Sequence, residues 1–210
     1  MFEGKRVFDV TRKIVSGMTV WPGDSPVKLE QTSSIARGDI VNVTRMDMGV
    51  HTGTHMDAPL HFLDQTGDIA SVPLDRLLGK VLVVEKDEMA LSSDVMKGYD
   101  LSGINAVFFK TTSSDLDEFT PFQASYPAIT ADCAAYLVQS GINTVGIDYI
   151  SIECCSDGKF PAHYILLENN VAIVENLCLK GIDPGVYDYV CLPLKLAGSD
   201  GSPVRTLLFR

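Results

Sequence analysis

The chain has 210 residues, 46% hydrophobic and 21% charged, with no low-complexity tract or fixed-period repeat, which suits a single domain over residues 1–210 with a substantial apolar core. Lys and Arg number 17 against 27 Asp and Glu, a formal charge of −10 with no basic run, so nucleic acid is excluded as an expected partner. No segment reaches the roughly 18 apolar residues of a membrane helix, and the opening MFEGKRVFDVTRKI lacks the apolar core of a signal peptide, so a soluble, cytoplasmic protein without a membrane partner is expected.

In chain order, short β-rich runs bounded by turn residues predict strands at RVFDV near the start, IVNVTRMDM from Ile40, KVLVVE from Lys80, INAVFFK from Ile104, INTVGIDYI from Ile142, VAIVENL from Val171 and YVCLPLKL from Tyr189. Two helices are predicted. PLDRLLG from Pro73 reads as a short one closed by Gly79, and TADCAAYLVQSG has Thr130 as N-cap and Gly141 as its stop. Strand-rich at the start and alternating strand, helix, strand later, the pattern predicts a mixed α/β fold whose sheet has parallel and antiparallel pairs. The long irregular pieces, Trp21 to Pro26 and Thr111 to Pro127, are of a kind that lines or covers a site. The five cysteines, Cys133, Cys154, Cys155, Cys178 and Cys191, are odd in number and lack C-x-x-C spacing, which indicates neither a disulfide framework nor a zinc knuckle. The adjacent pair Cys154 and Cys155 is given no role.

Three of the four histidines fall within HTGTHMDAPLH, His51 to His61. A helix would bring His51 and His55 together, but Gly53 weakens one, Pro59 breaks one, and no Glu follows His51 as in the H-E-x-x-H metalloproteases. In an extended chain, residues two apart share a face, so His51, His55, Asp57 and His61 would project the same way. A lone histidine is ordinarily a surface or hydrogen-bonded core residue. Packing gives no reason to gather three with a carboxylate on one face, whereas imidazole nitrogen and carboxylate oxygen are common ligands of zinc, manganese and iron.

The fourth histidine, His163, lies twelve positions before Glu175, a charge within the apolar run VAIVENL. Either Glu175 faces solvent from an edge strand, or it and His163 complete the shell begun by His51, His55 and Asp57.

These residues resemble the metal-dependent cyclase family that includes the bacterial-type kynurenine formamidases (arylformamidases). HTGTHMDAPLH fits that family's H-x-G-T/A-H-x-D-x-P-x-H at every fixed position, and His163 with Glu175 has the family's spacing. VWPGDSP around Trp21 and YVCLPLKLAGSDGSPVRTLL near the end are similar as well, whereas ENL at Glu175 to Leu177 and YISIECCSDGKF at Tyr149 to Phe160 depart from the family's usual E-G-L and acidic-proline segments. The resemblance implies a swivelling β/β/α fold with a barrel-like core and flanking helices, a homodimer, and two divalent ions, zinc first with manganese or iron as alternatives. It implies that His51, His55, Asp57 and Glu175 bind one ion and Asp57, His163 and Glu175 the other, with His61 as general acid and base and Trp21 against the substrate. The expected activity is hydrolysis of a small aryl formamide such as N-formylkynurenine; alternatives are a cyclic amide or lactone opened by the same site, or a metal-binding protein without catalysis.

Overall fold

A computed structural model describes residues 4–154 and 158–210. Cys155, one of the two adjacent cysteines, lies outside the described residues. Among the described residues the strands are β1 (Val7–Asp9), β2 (Lys28–Ser33), β3 (Val43–Asp47), β4 (His55–Asp57), β5 (Leu78–Glu85), β6 (Ala90–Leu91), β7 (Ala106–Lys110), β8 (Ala128–Ile129), β9 (Thr144–Ile147), β10 (Ala172–Glu175), β11 (Gly185–Pro193) and β12 (Gly201–Phe209). The α-helices are α1 (Ala131–Gln139) and α2 (Pro161–Glu168). No helix among them is long and apolar enough to cross a membrane.

Seven strands close into a barrel in the order β4, β12, β11, β5, β7, β9, β10 and back to β4. The run β5, β7, β9, β10 is parallel, and the rest of the ring pairs antiparallel. The expected mixed α/β fold with a barrel-like core is thus present. Its parallel strands are buried on both faces, which is why KVLVVE and INAVFFK read as near-continuous apolar runs. Val81, Val83, Phe108, Met56, Val174, Tyr189 and Leu208 form the cluster on one face of the ring. Leu82, Val84, Val107, Phe109, Val145 and Ile173 pack on the other with Leu137 of α1 and Leu166 of α2.

The predicted helix at Pro73 is not there. Leu74–Arg76 makes a single 3-10 turn and β5 begins at Leu78, paired on one side with β11 and on the other with β7. Gly79 does not close a helix. It sits in β5 at φ 145°, and the Asn105 side chain occupies the place of a Cβ while its Oδ1 accepts from the Lys80 N–H. The second predicted helix stands as α1, ended by Gly141 at φ 76°, although the Thr130 hydroxyl makes no cap and instead donates to Asp132 Oδ1 at 2.5 Å, with the Leu91 carbonyl oxygen 3.2 Å away. Helix α2 and strand β12 were not among the predicted elements.

Among the described residues strands β2 and β3 pair only with each other, and this arm leaves the barrel with Ile35, Ile40, Val41, Val43 and Met46 exposed. Inside the barrel, Gly146 on β9 leaves room for its neighbours: an added Cβ would lie 2.6 Å from Phe108 Cδ1 and 2.8 Å from Leu177 Cδ1. Gly146→Ala should therefore overpack the barrel and cost roughly 1–3 kcal/mol, a fall of several degrees in Tm for a chain of this size. Thermal unfolding checks this, and Phe108→Leu in the same chain should recover part of the loss.

Candidate active site and its metal-binding groups

The candidate site is built where the barrel closes. Strand β4 is only three residues long, yet it joins β10 to β12: His55 is in register with Glu175 and Pro203, and Asp57 with Ile173 and Gly201. Met56 turns into the barrel core, so His55 and Asp57 turn the other way, and the His55–Glu175 pairing sets the two side chains beside each other. Only His55–Asp57 of the histidine-rich stretch is strand. His51 comes from the preceding bends, and Pro59–His61 forms a 3-10 turn, so local turns as well as alternation gather the side chains.

His55, Asp57, His163 and Glu175 are all buried. His55 Nδ1 lies 2.9 Å from the Gly53 carbonyl oxygen, which can only accept, so the proton is on Nδ1. Its Nε2 is then a lone pair, yet it faces Glu175 Oε2 at 3.3 Å and Asp57 Oδ1 at 3.6 Å. Buried His55 Nε2 and Asp57 Oδ2 have no hydrogen-bond partner. Acceptors facing acceptors in a buried space repel unless a cation lies between them. Among the described residues, two groups of ligand atoms meet the geometry for one: His55, Asp57 and Glu175, and His51, Asp57 and His61. The donors are nitrogen and oxygen, the set that suits zinc, manganese or iron.

This grouping differs in part from the one the resemblance implies. Asp57 is common to both groups, but His51 falls with His61 rather than with His55 and Glu175. His51 Nδ1 is 2.9 Å from Asp57 Oδ1, and its ring stacks on that of His61 at 3.9 Å between centroids. His163 comes from α2 and sets Nε2 3.3 Å from Glu175 Oε1.

Two acids that the sequence reading passed over belong here. Asp200 places Oδ2 2.9 Å from His51 Nε2 and 3.4 Å from His61 Nδ1. It is anchored by Ala58 N–H donating to its carbonyl and by Ile69 N–H donating to that of Ser199. Asp68 accepts from the Gly198 N–H and so ties down the same loop. Gly201 is required beside His51, because a Cβ there would lie 2.7 Å from the ring. Glu153 contacts His163 from the opposite side. Neither acid stands in a periodic pattern, so sequence offered no signal for either.

A cavity of about 360 Å³ opens onto these groups, lined on its apolar side by Trp21, Phe62, Ile150 and Phe160, with Asp24 also at its edge. Trp21 packs edge-on against Phe122, so both long loops meet at the site. Phe62 stacks on His163 at 4.6 Å. Asn176, next to Glu175, has φ 58°, a region that asparagine, like glycine, tolerates, so the Asn in ENL makes this turn without strain.

The electrostatics follow from burial and these pairs. Burial alone would lower the His51 pKa, but the hydrogen bond and charge of Asp57, and then those of Asp200, outweigh it and raise it to about 10. His163 behaves alike: burial lowers it, and Glu153 and Glu175 raise it to about 9. Burial would raise Asp57, but the hydrogen bond and charge of His51 hold its carboxyl well below the usual range. His61 moves the other way, lowered chiefly by burial despite the charge of Asp57.

Residues 8–154 match the model of a family described as "Putative cyclase". The chain belongs to this cyclase family. It is a hydrolase enzyme, which sets aside the reading as a non-catalytic metal-binding protein. It is 29% identical over 201 residues, 95% of each chain, to kynurenine formamidase of Bacillus cereus. A predicted metal-dependent hydrolase from Bacillus stearothermophilus is 34% identical, with a TM-score of 0.82 over 98% of both chains. Isatin hydrolase A from Labrenzia aggregata, at 21% identity, has the same fold, with a TM-score of 0.83 over 98% of this chain and 93% of that one.

Without metal, protons on His51 and His163 stand where a cation would. Groups whose pKa is raised on folding contribute stability that is complete below the unfolded histidine value, about 6.5, and that is lost as pH rises through the folded values. The chelator-treated protein should therefore lose Tm steadily between pH 6.5 and 10, when His51 at about 10 and His163 at about 9 give up their protons. Melting curves across that range test this; a flat or rising Tm contradicts the assignment.

Proposed function

We propose that the substrate of this metal-dependent hydrolase is a small aryl formamide, with N-formylkynurenine as the first compound to test. The observation that carries the reading is the buried set of opposed acceptors at His55, Asp57, Glu175 and His163, opening onto a cavity walled by Trp21, Phe62 and Phe160. Two divalent ions, zinc in preference to manganese or iron, would be held by His51, His55, Asp57, His163 and Glu175, with Asp57 and Glu175 shared. We assign residues 1–210 to one such domain, acting in the cytoplasm.

Bound metal supplies a water of lowered pKa and polarises the amide carbonyl, whose carbon amide resonance makes a poor electrophile. His61, although it falls in a candidate cation group with His51 and Asp57, is assigned here as the proton carrier and not as a ligand. Burial holds it neutral near pH 7, so it can accept a proton from the attacking water and return it to the departing amine. Asp200, near its Nδ1, orients the ring and favours the tautomer with Nε2 free. Trp21 is half-buried on the cavity wall, where its ring can stack on an aromatic substrate.

His61→Ala should leave metal content unchanged and lower kcat at least 100-fold, the low end of what a positioned general base contributes. Metal analysis with an N-formylkynurenine assay checks both halves. Activity that survives removes His61 from the proton transfer, and hydrolysis of cyclic amides or lactones in place of the formamide overturns the substrate assignment.

We also propose a homodimer, supported by the β2–β3 arm. A two-stranded ribbon is marginal in water, and this one has Ile40 at 95% exposure with Val41 and Met46 also bare. Ile40→Asp with Val41→Asp should shift the protein to monomer in analytical ultracentrifugation, and an unchanged dimer would place the interface elsewhere.

A further inference from the structure

Glu153 is a buried carboxylate to which the proposed reaction assigns no task. Both its oxygens lie 3.0 Å from the Ala162 N–H at the start of α2, and Oε2 lies 3.2 Å from the His163 N–H. The same Oε2 is 3.1 Å from His163 Nδ1. A carboxylate that receives backbone N–H groups is an acceptor throughout, so Nδ1 is the ring nitrogen that must carry a proton. Nε2 is then the one left to present a lone pair, and it points at Glu175 Oε1. The residue before Glu153 acts on that same oxygen: Ile152 N–H donates to Glu175 Oε1 at 2.7 Å. Consecutive residues of one segment thus hold two metal-binding groups from two different elements, while Ile150 and Ser151 just ahead of them line the cavity.

We propose that Glu153 is a positioning residue: it fixes the proton of His163 on Nδ1 and so aims Nε2 as a metal donor. The ion held by His163 depends on it, and the ion at His55, Asp57 and Glu175 does not. A carboxylate behind a ligating imidazole orients the ring and raises its basicity, and its loss ordinarily weakens metal affinity 10–100-fold. The inference rests on the two-ion reading above.

The test is zinc content and stepwise affinity by chelator competition on wild type, Glu153→Gln and Glu153→Ala, with cobalt substitution to report the coordination of each ion. One ion should weaken roughly 100-fold in the alanine variant and roughly 10-fold in the glutamine variant, whose carbonyl still accepts from Nδ1. The other ion should hold its affinity and its cobalt spectrum. If the alanine variant does not fold, the glutamine variant carries the measurement. Two ions bound by the variants as tightly as by wild type, or both weakened alike together with Tm, overturns the role of Glu153 and leaves the two-ion reading standing. A wild type that saturates at one ion per chain overturns both.

Discussion

Acceptors that face acceptors inside the protein are the constraint around which the rest is arranged. His55 donates its proton to Gly53 and His163 to Glu153, so the remaining ring nitrogens have only lone pairs to offer, and what lies opposite is the carboxylate of Glu175. In apolar surroundings that arrangement is unfavourable by several kcal/mol unless a positive charge joins it. The barrel, the loop bearing Asp200 and the turn at Asn176 all serve to hold these groups in place against their repulsion.

The fold meets that demand with rigid parts. Glu175 and His55 sit on paired strands of a closed ring, and His163 sits on a helix packed against the same sheet. None of the three can swing away without breaking ladder or core contacts. The cavity wall is different in kind: Trp21, Phe62 and Phe160 come from loops and turns, where shape can change without disturbing the barrel. On the proposed reading, donors anchored to the barrel and its packed helix would stay fixed while the loops that wall the cavity are free to vary.

Much of the candidate site was legible because its members crowd together in sequence. His51, His55, Asp57 and His61 share eleven residues, and Glu175 stands out as a charge inside an apolar strand. The closed ring was legible only as a mixture of strand types, since register between β4 and its two neighbours is a property of distant segments. Asp200 and Glu153 stayed hidden because an acid in a loop looks the same whether it meets solvent or an imidazole. The helix expected at Pro73 was lost to tertiary pairing: Leu78 to Val84 has two strands to bond with, which outweighs one turn of local preference. Helix α2 carried a sign that went unread, Pro161 in its first turn.

Strand β4 has one more consequence. The three residues that close the ring are those that bring His55 and Asp57 to Glu175, and their partners on β10 and β12 lie in the last quarter of the chain. Contacts so far apart in sequence form late, because closing a long loop is entropically costly before any contact rewards it. The donor set therefore does not exist in a half-folded chain. On the proposed two-ion reading, metal bound to the assembled set would act as a latch on the finished barrel, because Glu175 is delivered only with the late strand β10.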